Sequence, residues 1–325
     1  MTVPLEVSAS DETADPDAIF RGIGSVEGRT PWQIAWLRLK RDKVALGGGV
    51  VILLLVAFAL LAPVLTRIEG YGPYVFHQDL IDPTFQTPLG GFGGVSAKHW
   101  FGVEPGTGRD IFARIAYGAQ VSLLIAVGAT AMSVFLGTTL GTIAAYFGGP
   151  ADALVSRTMD VILAFPYLLF ALALVAVAPD VNRKLLLILI IAFISWPYIG
   201  RIIRGQALSL REREFVEAAR SMGAGPWYIM FREILPNLVA PILVYSTLII
   251  PTNILTETAL SFLGVGVKPP ESSWGEMMSQ AADGYFQIDP AYMIFPGVAI
   301  LITVLAFNLF GDGLQDALDP RSSRR

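Results

Sequence analysis

Six stretches of this chain contain no charged side chain: residues 44–64, 121–147, 161–179, 185–200, 238–256 and 291–311. A bilayer's hydrocarbon core is about 30 Å thick, and a helix needs roughly 20 mostly apolar residues to cross it. Lipid offers the backbone no hydrogen-bond partner, so a chain of such stretches can cross only as helices or as a closed barrel. These runs are too long and too evenly apolar for barrel strands. They predict an all-α integral membrane protein with six transmembrane helices. Charged residues are only 15% of the chain, where soluble domains carry about a quarter. There is no cysteine, which excludes disulfides, thiolate metal sites and cysteine nucleophiles.

An even number of spans puts both termini on one side. Lys and Arg then decide which side, because they concentrate in cytoplasmic segments. Six precede the first run, Arg157 follows the second, six lie between Arg201 and Arg232, and three close the chain. The opposite side holds only Arg67, Lys98, Arg109, Arg114, Arg183, Lys184 and Lys268. Both termini are therefore expected in the cytoplasm. Residues 1–29 are polar and acidic and predict a disordered cytoplasmic tail. Residues 30–43 open with Thr30-Pro31-Trp32-Gln33, a capping-box pattern. They predict an amphipathic helix in the inner interface, or a plain juxtamembrane anchor. Residues 44–325 form the membrane domain. Its outer loops, 65–116 and 266–290, are punctuated by Gly and Pro.

The most charged run inside this domain is EFVEAARSMGAGPWYIMFREILPN, residues 214–237, between the fourth and fifth spans. Residues 206–222 read as one helix with Phe215, Ala218, Ala219 and Met222 on one face, and they open a cytoplasmic loop that runs over 206–237. Gly223 is a natural stop. Pro226 suits the first position of a second helix, striped by Trp227, Met230, Phe231 and Ile234 and ended by Leu235-Pro236. Helices this short are unstable alone in water, so this elbow must dock. It packs on the inner ends of its own spans or plugs into a partner. DNA reading is excluded by its balanced charge, since phosphate binding needs a basic excess. The glycine clusters at 47–49 and 90–94 have no Lys-Ser/Thr after them, so no phosphate-binding loop is present. Any nucleotide-driven work would have to draw its energy from another chain.

The run EAARSMGAG…ILPN resembles the EAA loop of binding-protein-dependent ABC importer permeases, matching at Glu217, Ala218, Ala219, Gly223, Leu235 and Pro236. Four further runs occur in the same order: GTGRDIFARIAYGAQVSLLIA (106–126), ILAFPYLLFALALV (162–175), TETALSFLGVGVKPPESSWGEMM (256–278) and FNLFGDGLQDALDPR (307–321). They resemble the C-type subunit of dipeptide and oligopeptide permeases over residues 30–321. Two departures occur: Glu233 stands where a His often precedes Ile-Leu-Pro, and GVEPGTGRD is one residue longer than usual. The resemblance implies a type I ABC importer permease in a prokaryote's cytoplasmic membrane, forming half of a pathway for di- or oligopeptides. Nickel, glutathione or another small solute is the alternative cargo. It implies a second homologous permease subunit, two ATP-binding subunits that hold ATP and Mg, and an extracytoplasmic binding protein. It implies no catalytic site, cofactor, metal or nucleic acid in this chain. In that reading Glu217 and Arg220 contact the ATPase, Gly223 allows the bend, and Trp227 and Phe231 pack in its cleft.

Pro166, Pro197, Pro241 and Pro251 interrupt spans three to five, as kinks in moving helices or within static packing. Three charges lie in or beside the spans. Glu257 is expected near the outer end of span five, in interfacial water or lining the pathway. Arg157 and Asp160, three apart on one helix face, form a structural ion pair or line the pathway. His77 and His99 read as lone surface histidines. A secondary transporter would be expected to carry inverted repeats or discontinuous helices, and a membrane enzyme a catalytic cluster; neither is legible.

Overall fold

A computed structural model describes residues 30–179, 181–282 and 289–319. The expected tail, 1–29, and the last three basic residues lie outside the described residues. The described residues are helical, with only two isolated β-bridges, Ile81 to Pro88 and Val103 to Asp110.

The first helix, α1 (Pro31–Leu39), begins with the expected capping box: the Gln33 N–H donates to Thr30 Oγ1, and the Thr30 N–H donates to Gln33 Oε1 at 3.0 Å. Ala35 and Leu39 are buried, while Trp32 and Trp36 face outward. Asp42 caps α2 (Lys43–Leu60), and α3 (Ala62–Glu69) follows within the expected first outer loop. Asp110 caps α4 (Ile111–Phe147), accepting from the Ala113 N–H at 2.8 Å. This cap starts the second span ten residues earlier than its uncharged run, because Arg114 can be buried among partners described below. Next come α5 (Gly149–Ala164), α6 (Tyr167–Val177), α7 (Arg183–Arg211), α8 (Glu214–Ser221), α9 (Pro226–Phe262), α10 (Trp274–Ala282) and α11 (Ala291–Leu318). Asp289 accepts from the Ala291 N–H at the start of α11.

Among the described residues, five helices are long and apolar enough to cross a bilayer: α2, α4, α7, α9 and α11. The third expected span, 161–179, is not one rod. Its first residues end α5, and α6 turns away at 93°. The cause is Pro166, which pushes the residue before it out of helical geometry. Phe165 is extended, at φ −85° and ψ 141°. A sixth span exists only if this bent pair is counted as one.

The bundle centres on α4 and α7, which approach closely through small residues. A Cβ on Gly137 would lie 2.8 Å from the Gly200 nitrogen, and one on Gly141 would lie 2.7 Å from the Gly200 carbonyl oxygen. Glycines spaced by four let two backbones meet where lipid provides no hydrophobic drive between helices. The last helix packs along α2 and α9, and α10 closes the outer end between α9 and α11.

Candidate functional site

The expected helix 206–222 is interrupted at residues 212–213: its first residues end α7, and the elbow is built by α8 and the inner end of α9. Gly223 ends α8 in left-handed geometry, φ +84°. The Ala224 N–H donates to the Ala219 carbonyl and the Gly223 N–H to the Arg220 carbonyl, both at 3.0 Å, which is a Schellman stop. Pro226 opens α9 as expected. The elbow's second helix does not end at Leu235-Pro236, however. It continues through a π-helical stretch, Ile229–Ile234, into the fifth span as far as Phe262. A proline ring crowds the carbonyl four residues back. The wide π turn lies just there, and the Asn237 side chain takes up the Glu233 carbonyl at 2.7 Å.

The buried face of α8 differs from the expected one. Val216 and Ala219 are buried, in a cluster with Ala145, Ile203, Ile229 and Ile234. Phe215, Ala218 and Met222, expected to share a face with Ala219, are exposed, Met222 at 82%. Apolar residues flank both sides of α8, so spacing alone does not choose between them. Glu217, Ala218, Arg220, Gly223 and Pro236 are exposed, and Leu235 is half-buried. Trp227 and Phe231 stack with ring centroids 6.0 Å apart, yet they remain 60% and 58% exposed. Arg211, at the end of α7, donates to the Ala145 carbonyl at 3.0 Å and fixes the elbow's root to α4. The elbow therefore rests on its own bundle through Val216, Ala219, Ile229, Met230 and Ile234 and turns its aromatic side chains and Met222 outward.

The charges singled out from sequence fall elsewhere. Glu257 is neither in interfacial water nor on an open surface. It is fully buried, accepting from Ser261 Oγ at 2.8 Å, because the 264–275 segment folds back over the end of α9. Arg157 and Asp160 are exposed and only 3.9 Å apart. Asp160 has a closer partner in Arg201, at 2.7 Å. Arg204 binds Asp152 beside it, at 2.7 Å. These pairs tie α5 to α7.

The outer end holds a buried charge network that the sequence did not disclose. Arg114 is fully buried and pairs with Glu104 and Glu276, the latter at 2.7 Å. It also donates to Ser272 Oγ at 2.9 Å, Tyr292 OH at 2.9 Å and Gln280 Oε1 at 3.0 Å. Arg109 pairs with Glu104, and the Tyr292 hydroxyl donates to Glu104 Oε2 at 2.9 Å. Two guanidiniums thus meet two carboxylates with their hydrogen bonds filled, as buried charge requires. Burial raises the Glu276 carboxyl above its usual range, and the two guanidiniums oppose that rise.

Beside this network, His99 is not a surface histidine. It is buried, with Nδ1 2.8 Å from Asp110 Oδ2, and its ring lies 5.1 Å from that of His77. Glu69, at the end of α3, accepts from the Trp100 N–H and meets the Asp110 carboxyl. Burial, then the neighbouring Asp110, push Glu69 up to about 8. Burial raises Asp110 as well, against the pull of the Ala113 N–H and His99.

Long apolar helices around a small-residue seam, with an amphipathic elbow at the inner end, define a multi-pass membrane protein. The chain belongs to the family described as binding-protein-dependent transport system inner membrane component, which matches residues 137–324. The N-terminal TM domain of oligopeptide transport permease C matches residues 30–88. The dipeptide transport system permease protein DppC of Alkalihalophilus pseudofirmus is 41% identical over 293 residues, 90% of each chain. The glutathione transport system permease protein GsiD of Pectobacterium atrosepticum is also 41% identical, over 90% of this chain and 92% of its own. An inward-facing methionine ABC transporter, MetNI, gives a looser likeness: TM-score 0.47 and 18% identity over 62% of this chain and 94% of its own. The chain is thus a permease subunit of an ABC importer and not a catalytic enzyme.

Proposed function

We propose that this chain forms half of a translocation pathway for short peptides, loaded by an extracytoplasmic binding protein and driven by separate ATPase subunits that grip the elbow. The observation that carries the coupling role is the exposed set Phe215, Met222, Trp227 and Phe231 on an elbow whose other face, Val216, Ala219, Ile229 and Ile234, is buried against its own bundle. A large aromatic face on a short helical turn, continuous with two membrane helices, is suited to receive a push from a neighbour. ATP acts on the assembly only through its different affinity for the inward-open and outward-open states. The elbow would pass that difference to α7 and α9. Short peptides are the favoured cargo because relatives named for dipeptide and for glutathione transport match this chain equally well. Glutathione is itself a peptide, so the two names agree on the class.

Gly223 is the sharpest place to test the coupling. A side chain there would have room, since a Cβ would meet nothing within 4 Å. The positive φ is the obstacle: a β-branched residue in that geometry is strained by roughly 1–3 kcal/mol. Gly223→Val should abolish ATP-driven uptake in proteoliposomes holding the whole importer. Gly223→Asn, which tolerates left-handed geometry, should retain most of it. Normal uptake by the valine variant would refute the elbow's role. Mass spectrometry of what the cognate binding protein carries would test the peptide assignment.

A further inference from the structure

Four helices meet along one line of hydrogen bonds inside the bundle. The Tyr167 hydroxyl lies 2.9 Å from Ser195 Oγ, and Ser195 donates to Asn253 Oδ1 at 3.1 Å. Asn253 Nδ2 donates to Thr130 Oγ1 at 2.8 Å, and the Thr130 hydroxyl donates to the Ala126 carbonyl at 2.8 Å. The Ser195 proton is committed to Asn253, so Tyr167 is the donor in the first contact. Every donor then points the same way, and the line ends on a backbone carbonyl. Such chains polarise one another in a low-dielectric interior. Thr130 belongs to α4, Tyr167 to α6, Ser195 to α7 and Asn253 to α9. Asn253 is fully buried, and Thr130 and Ser195 are each 4% exposed.

The line sits deep. About 15 Å of helix separates Asn253 from the outer end of α9, and a similar length separates Ser195 from the outer end of α7. That is near the middle of a core about 30 Å thick. Polar side chains there are not needed to hold α4 against α7, since the glycine seam already does so. What this line adds is a polar tie to the start of α6, beyond the apolar contacts of Ala171 and Val175 further along that helix. Tyr167 is the first residue of α6, directly after the break at Pro166. The other members lie on the two helices that flank the elbow and on their common support. Pro251 precedes Asn253 by two residues, and Pro197 follows Ser195 by two. Each proline removes a backbone hydrogen bond, so both helices are most pliable where the tie grips them.

We propose that Asn253 is a positioning residue of the transport cycle: by bridging Thr130 and Ser195, and through Ser195 holding Tyr167, it fastens the broken span to the two helices that carry the elbow, so that elbow movement is delivered to the break. This rests on the coupling role proposed above. The tie converts a push at the inner face into movement at mid-membrane. Without it, the start of α6 has no directional bond to α7 and α9, and the apolar contacts further along α6 can slide.

The test uses the assembled importer in proteoliposomes, with Asn253→Leu, Ser195→Ala and Tyr167→Phe. Uptake per ATP hydrolysed is read together with retention of the ATPase subunits on purification. Asn253→Leu should lower uptake per ATP at least fivefold, and Tyr167→Phe two- to threefold, with the ATPases retained and hydrolysis continuing. A merely structural role would lower uptake and hydrolysis together and leave their ratio unchanged; that result overturns the proposal. If Asn253→Leu does not assemble, Tyr167→Phe decides, because it removes one hydroxyl and keeps the ring. Failure of the elbow's own role is seen separately, as normal uptake by Gly223→Val, so the two readings cannot fail indistinguishably.

Discussion

The outer and inner ends of this bundle are held by opposite means. At the outer end, Arg114 and Arg109 sit among Glu104, Glu276 and Tyr292, all buried, and join the first outer loop, α4, α10 and α11. At the inner end, α8 rests on Val216 and Ala219 while Trp227, Phe231 and Met222 stand in the open. Removing one partner of a buried ion pair strands the other, so the outer end resists rearrangement. Apolar contact carries no such penalty, so the inner end can slide. A cap that keeps its shape and an elbow that yields suit a subunit loaded from outside and moved from inside.

Breaking the cap should have the largest effect. Arg114→Met leaves Glu104 and Glu276 buried without their central cation, at a cost of about 3–5 kcal/mol. The Tm of the purified complex should fall clearly, and adding Glu104→Gln and Glu276→Gln should recover part of the loss. An unchanged Tm would mean that charge does not pin the cap.

A smaller effect on the same end comes from pH. Glu69 holds its proton to about 8, against an ordinary value of 4.5. Its stabilising contribution is fully present below pH 4.5 and is lost as pH rises through 8. The groups facing it are Asp110, its partner His99, and beyond them His77 and Tyr71. Tm should therefore decline between pH 5 and 9, and Glu69→Gln should flatten that slope. A slope of the same steepness in the glutamine variant would assign the titration elsewhere.

The smallest effect on stability belongs to the elbow, and it sharpens the contrast most. Trp227→Ala removes an exposed ring and should change stability by no more than about 0.5 kcal/mol. It should nevertheless cut co-purification of the ATPase subunits severely. A large drop in the Tm of the chain, with the ATPases retained, would reverse the two roles.

The sequence made some of this architecture legible and concealed the rest for physical reasons. Uncharged runs located the long helices because lipid excludes charge, and Gly223 and Pro226 marked the bend because few residues suit those backbone positions. Pro166 was legible as one of four prolines interrupting spans three to five, but the 93° break there could not be told from the others, because prolines are also tolerated inside membrane helices, as Pro197 and Pro251 show here. Pro236 misled in the opposite direction, since a π turn absorbs it. The outer network was invisible because its partners are distant along the chain: Arg114 and Glu276 are 162 residues apart, and Glu104 and Tyr292 are 188 apart. Asp160 was assigned to its sequence neighbour Arg157 for the same reason, when Arg201 lies nearer in space.

The unbroken run of α9 from Pro226 to Phe262 has a consequence for how such chains can vary. It is a 37-residue rod, about 55 Å long. One inserted or deleted residue would turn everything beyond it by about 100° and carry Asn253 off its neighbours. Length changes should therefore accumulate in the outer loops and be purged from this segment, even where individual side chains along it are free to drift.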